Sequence, residues 1–232
     1  MKVAALIPAY QAATSIAGVV SEFVALAAQN EQPVPLWVVD DGSTDGTSDQ
    51  ARRAGARVLR HEYNQGKGAA LLTGFEAIAQ RGFEAVVTFD ADAQHPPEEA
   101  MRLALLPLAP ERLILGIRDL ARDGAPKNSQ FSNSISNYFL SRFAGMHLAD
   151  TQCGLRRYPL PQTLELRPAS PGYALEAEII LRAARAGWVI DQIPVRVVYP
   201  PQDQRISHFH VVRDPTRIVF RVIQTWLDLD DR

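Results

Sequence analysis

Short apolar runs alternate with helix-periodic segments through the first half of the chain, and no other feature limits the fold so tightly. Residues 3–7, 36–39, 57–59, 85–89 and 113–116 read as strands. Residues 16–28, 47–54, about 67–80 and a stretch after Pro96-Pro97 read as helices. Two-residue hairpins are absent from this rhythm, and each strand-like run is followed by a segment long enough to cross over as a helix. A mainly parallel sheet flanked by helices is therefore predicted, an α/β fold in which the 36–39 run reads as a strand buried on both faces. With 232 residues, 47% of them hydrophobic, the chain can build one sizeable core, so a single domain is expected.

After Gly116 the character changes. A polar loop, RDLARDGAPKN, leads to a helix in which Phe131, Ile135, Phe139 and Phe143 recur at helical spacing and are assigned to the core. A second helix at 175–186, the strand-like VIDQIPVRVVY and an amphipathic stretch at 216–227 follow. The apolar face of that last stretch suits either the protein body or a membrane surface.

Composition removes several function classes. Cys153 is the only cysteine, which excludes an internal disulfide and a cysteine-rich zinc site and fits a reducing, cytoplasmic setting. No run of eighteen apolar residues occurs, so no spanning helix is expected, and the N-terminus does not read as a signal peptide. A net charge of −2 gives no basic field for nucleic acid.

Three loops carry candidate chemistry. In VVDDGSTDGTSDQ, a calcium loop begun at Asp41 would place Ser43, Asp45 and Gly46 correctly, but Arg52 stands where a bidentate Glu is required. Asp40 and Asp41 lie at a strand's carboxyl end, where open α/β sheets meet their ligands, while Ser43, Thr44 or Asp45 offers helix capping as the alternative. In TFDADAQH, Asp90 and Asp92 are expected on the same side of an extended chain. They suit a hard divalent ion, with Gln94 a further oxygen donor, although acidic turns are also often merely solvated. YNQGKGAAL fails the P-loop pattern and leaves Lys67 between glycines at a helix start, a place that favours an anion unless the lysine is simply solvated.

Taken together, IPAY, VVDDGSTDGT, NQGKGAAL, FDADAQHPPE, DTQCGLRRY and YALEAEIILRAARAGW resemble the ordered motifs of GT-A family 2 glycosyltransferases. The nearest likeness is to dolichyl- and polyprenyl-phosphate mannose or glucose synthases. The resemblance implies a single Rossmann-like GT-A domain, with residues 1–116 as the nucleotide-sugar half and 117–232 as the acceptor half. It implies inverting, metal-dependent transfer of a hexose from a UDP- or GDP-sugar to a polyprenyl or dolichyl phosphate. Pro8, Tyr10, Asp40, Asp41, Lys67 and Asp90 would meet the nucleotide sugar, and Asp90, Asp92 and Gln94 would hold Mg2+ or Mn2+, with Asp92 and Asp150 as the catalytic carboxylates. Arg118, Lys127, Arg205, Ser207 and Arg213, with His208 alongside, would take the acceptor phosphate. The chain departs from the usual P-A-Y-N-E at Gln11 and Ala12, which loses a carboxylate near the nucleotide. Many members carry C-terminal transmembrane helices; here a lipid would be reached by peripheral contact with the membrane or through a membrane-protein partner.

Asp150 is assigned to base or acceptor-positioning chemistry, with a capping or turn role as the alternative. A phosphate acceptor is largely ionised at neutral pH and demands cations, whereas a hydroxyl acceptor demands a base. A non-catalytic nucleotide-sugar-binding module is the competing class. A nucleotidyltransferase is disfavoured, since IPAYQAATS lacks a Gly-rich basic phosphate loop.

Overall fold

Apolar residues on both faces of the first strands force them into the middle of the molecule, and the chain arranges its helices accordingly. The structure is a computed structural model describing residues 2–107, 109 and 111–199. The order is β1 (Val3–Ala9), α1 (Ile16–Ala28), β2 (Leu36–Asp40), α2 (Thr47–Arg53), β3 (Arg57–Arg60), α3 (Lys67–Ala79), β4 (Ala85–Thr88) and α4 (Pro97–Leu105). It continues with β5 (Leu113–Arg118), α5 (Lys127–Ala144), β6 (Arg156–Pro159), α6 (Gln162–Glu165), α7 (Ala174–Arg185) and β7 (Ile190–Val195).

The seven strands form one sheet in the order β3-β2-β1-β4-β6-β5-β7. All pairs are parallel except those of β6, which runs antiparallel to β4 and β5 in the register Thr88↔Arg156 and Leu115↔Arg156. Chain order reverses between β1 and β4, the kind of switch point beyond which α/β sheets bind ligands. Helices α1, α2 and α4 cover one face and α3, α5 and α7 the other, each over its own apolar cluster. Pro8 stands past the last β1–β4 pair, Leu6↔Thr88, so its missing N–H breaks no bond on that side.

Strand β6 is not among the strands expected from the sequence, since RRYP holds no apolar run. Both arginines are buried. Arg156 donates to the carbonyls of Thr151, Cys153 and Glu176, and Arg157 to those of Leu103, Leu106 and Ala109. Carbonyl acceptors of this kind let a guanidinium stand inside a sheet without a carboxylate for each charge.

The core assignment for α5 is corrected. Phe131 is 69% exposed and Ile135 and Phe139 are only half-buried; of the four, Phe143 alone packs against a core cluster. The buried face is Ser132, Asn133, Ser136 and Leu140. Ser136 Oγ lies 2.9 Å from Thr151 Oγ1, and Asn137 accepts from the Thr151 N–H at 2.8 Å, so α5 turns a polar face to the 150–153 turn.

Candidate active site

The sheet delivers the ends of β1, β2, β4 and β5, and the entry to antiparallel β6, to one edge. Each of the three loops singled out above is found there, and their charged side chains have distinct partners.

The DDGSTDGT loop spends its carboxylates on the protein. Asp40 accepts from the Ser43 N–H at 2.9 Å and from the Ser48 hydroxyl. Asp41 accepts from the main-chain N–H groups of Gln65 (2.9 Å) and Gly66 (2.7 Å) and pairs with His61 Nδ1 at 2.7 Å. Asp45 accepts from the Thr47 hydroxyl, from the Ala13 N–H at 2.9 Å and from the Thr47 N–H, and against the cost of burial these bonds, the hydroxyl first, hold its carboxyl below the usual range. The capping alternative is not what these side chains do: α2 is capped by Gly46 without a side-chain bond, and Ser43 and Thr44 accept from Gln11 instead. Asp40 and Asp41, 1% and 3% exposed, would meet a nucleotide only through the loops they fix. Just ahead of α3, the N–H groups of Gln65 and the N-cap Gly66 are taken by Asp41's own carboxylate. Gly42 is obligatory here: at φ +76° a Cβ would lie 2.5 Å from the Tyr63 carbonyl carbon.

Asp90 and Asp92 are brought together by a turn, not by the extended strand expected, because β4 ends at Thr88. Asp92 Oδ1 accepts the Gln94 N–H at 3.0 Å, and Ala93 adopts φ +60°. Gln11, after IPAY, is likewise left-handed at φ +50°, so both loops at the switch point hold a strained non-glycine residue. Lys67 Nζ stands 2.8 Å from Asp90 Oδ1 and 3.2 Å from Glu176 Oε2, and the two carboxylates raise its pKa despite burial. Burial opposes the Asp90 charge, yet Lys67 holds that carboxyl below its usual range. Asp92, at the mouth, is pushed up to about 6 by desolvation and then by the Asp90 charge.

Two such carboxylates, the second disfavoured by the first, suit a divalent cation. No third His, Cys, Asp or Glu joins them among the described residues, so Gln94 and ligand phosphates would complete the oxygen set. The residues fit the group.

Asp150 is wholly enclosed. Arg118 grips it through Nε (2.7 Å) and Nη2 (3.0 Å), and the Arg118 and Gln152 N–H groups add bonds of 3.1 and 3.2 Å. Burial works against the charge, but Arg118 keeps the Asp150 carboxyl below the usual carboxylate range. Such a group is a poor base. Arg118 closes the pair at the end of β5, while Lys127 is exposed at the start of α5, Pro8 is half-buried and Tyr10 is 38% exposed. Arg205, Ser207, His208, Arg213 and the stretch 216–227 lie outside the described residues.

Three residues without an assigned role complete the site. Glu176 was legible only as part of YALEAE. His95 is buried, its Nε2 is 3.4 Å from Cys153 Sγ, and burial pushes it down to about 4 while the thiol goes up to about 12. Nothing in the sequence pairs residues so far apart.

Residues 4–160 match the family model described as glycosyl transferase family 2. The chain belongs to that family. Its relatives include the undecaprenyl-phosphate mannosyltransferase of Micrococcus luteus, 31% identical over 175 residues, covering 70% of this chain and 71% of that one. The polyprenol monophosphomannose synthase of Mycolicibacterium smegmatis is 31% identical over 179 residues, covering 70% and 66%. Among solved structures, glucosyl-3-phosphoglycerate synthase from Mycobacterium tuberculosis, in complex with Mn2+, UDP and glucosyl-3-phosphoglycerate, superposes with a TM-score of 0.73 at 22% identity, covering 98% of this chain and 79% of that one. The fold is thus the GT-A fold, and the family 2 chain is a glycosyltransferase.

Proposed function

We propose that this family 2 enzyme transfers a hexose, with inversion, from a nucleotide-diphosphate sugar to a polyprenyl or dolichyl phosphate. The observation that carries the acceptor class is the Arg118–Asp150 pair. A hydroxyl acceptor needs a carboxylate free to take a proton, and Asp150 is clamped, buried and held in its charged form. A phosphate acceptor needs no base at neutral pH and needs a fixed cation instead. Asp150 engages the Nε–Nη2 edge of Arg118, which leaves Nη1 for a phosphate oxygen. The lipid-phosphate relatives support the same reading.

On the donor side, Pro8, Tyr10 and the loops fixed by Asp40 and Asp41 would seat the nucleotide. Asp90, Asp92 and Gln94 would hold Mg2+ or Mn2+, which when bound supplies Lewis-acid stabilisation of the leaving diphosphate. Lys67 adds a second positive charge beside that diphosphate. The acceptor phosphate, oriented by Arg118 with Lys127, Arg205, Ser207 and Arg213 as further contacts, attacks the anomeric carbon from the opposite face. A lipid acceptor puts the enzyme at the cytoplasmic surface of a membrane, in peripheral contact or beside a membrane-protein partner.

The test is a screen of UDP- and GDP-hexoses with Mn2+, offering a short polyprenyl phosphate and the matching polyprenol as competing acceptors. Glycosylation of the phosphate with inverted anomeric configuration is expected. Transfer to the polyprenol alone would overturn the acceptor assignment.

A further inference from the structure

The charge cluster around Lys67 holds a residue with no part in the reaction as described so far, and its role rests on the metal reading above. Lys67 sits on the carboxylate oxygen of Asp90 at 2.8 Å, where a divalent cation would also bind, and two cations so close repel strongly. Asp90 cannot back away on the Oδ2 side. A Cβ on Gly154 would lie 2.3 Å from Asp90 Oδ2, so that carboxylate is pressed against main chain. Lysine, on a flexible four-carbon stem, is the group that can move.

Glu176 lies where it would go. Close packing puts it there: a Cβ on Gly68 would meet the carbonyl oxygens of Gly172 and Ser170 at 2.9 Å, so the start of α3 is set directly against the loop that opens α7. Glu176 is 6% exposed, its Oε2 is already 3.2 Å from Lys67 Nζ, and its Oε1 has no hydrogen-bond partner among the described residues. Arg156 is 3.8 Å from that oxygen but gives its donors to three carbonyls. A buried carboxylate with an unused oxygen favours a closer ammonium. The Tyr173 ring, 5.5 Å from the ammonium, flanks the same short path.

We propose that Glu176 is a second berth for Lys67: as a divalent cation takes Asp90, the ammonium shifts onto Glu176, which thereby sets how tightly the site holds the cation. Glu176 is a positioning residue, acting through Lys67.

The experiment titrates the full chain with Mn2+ alone, without donor, and reads free Mn2+ by electron paramagnetic resonance. In Glu176→Gln the ammonium stays on Asp90, so Kd for Mn2+ is expected to rise roughly tenfold or more. In a Lys67→Met background the same change should alter Kd by less than about twofold, since the competing ammonium is gone. An unchanged Kd in Glu176→Gln overturns the proposal. An equal loss in both backgrounds also overturns it, because Glu176 would then act on the metal directly through its charge. Should Glu176→Gln fail to fold by circular dichroism, Glu176→Asp, which withdraws the carboxylate by one methylene, is expected to raise Kd, and a wild-type Kd there overturns the idea. Wild-type protein that binds no Mn2+ at all would sink the metal reading itself, a distinct result.

Discussion

At the scale of single residues, partner choice decides role. Asp150 and Arg118 look alike as candidates in the sequence, yet each satisfies the other in the fold. Arg118→Lys keeps the charge and loses the fork, so kcat/KM for polyprenyl phosphate should fall roughly 10–150-fold, mainly through the acceptor KM. Asp150→Asn should cost less than about tenfold, against the 10²–10⁴-fold expected for loss of a general base, and steady-state kinetics on both variants separates the cases. Asp92→Ala should abolish Mn2+-dependent transfer with the melting temperature unchanged or slightly raised, since it removes a carboxylate that the folded state disfavours; unaltered turnover would remove Asp92 from the site. His95 gives the acid limb of stability. Its folded value of about 4 lies below the ordinary 6.5, so the unfolded chain binds the proton first as pH falls. Stability contributed by the neutral ring is complete above about pH 6.5 and is lost towards pH 4, up to about 3 kcal/mol. Asp92, shifted the other way and exposed, offsets part of this between about pH 6 and 4. Urea midpoints from pH 7 to 4.5 should fall in wild type and fall less in His95→Gln.

At the scale of elements, α5 shows how periodicity misleads. Aromatics at helical spacing mark a face, but not which way it points; the polar 150–153 turn bonds Ser132 and Ser136, drawing them inward, and Phe131 is left outside. Leu140→Ala should therefore cost about 2–5 kcal/mol, while Phe131→Ala should stay within about 0.5 kcal/mol. Equal losses in chemical denaturation would restore the core assignment. Strand β6 makes the complementary point. Its two arginines hide it from any apolar pattern, and the carbonyls ringing each guanidinium help make burial tolerable.

At the scale of the whole molecule, the sheet runs unbroken from β3 to β7, so the strand ends that would serve donor and acceptor meet on one edge. No helix among the described residues is long and apolar enough to cross a membrane. Reversible association is expected: the protein should float with vesicles containing polyprenyl phosphate and be released by high salt or carbonate. A requirement for detergent would contradict that expectation.

The early strands, their helices and the three loops at the strand ends were legible in the sequence, because the central parallel strands are apolar on both faces. The sequence also carried the family, since six motifs in order are specific where each alone is weak. Tertiary structure decided what each charge does. Which carboxylate is clamped, which faces Lys67 and which is left at the mouth depends on pairs such as Asp41–Gln65, Asp150–Arg118 and Glu176–Lys67. Those pairs are made by close approach of distant loops, and distance along the chain holds no record of them.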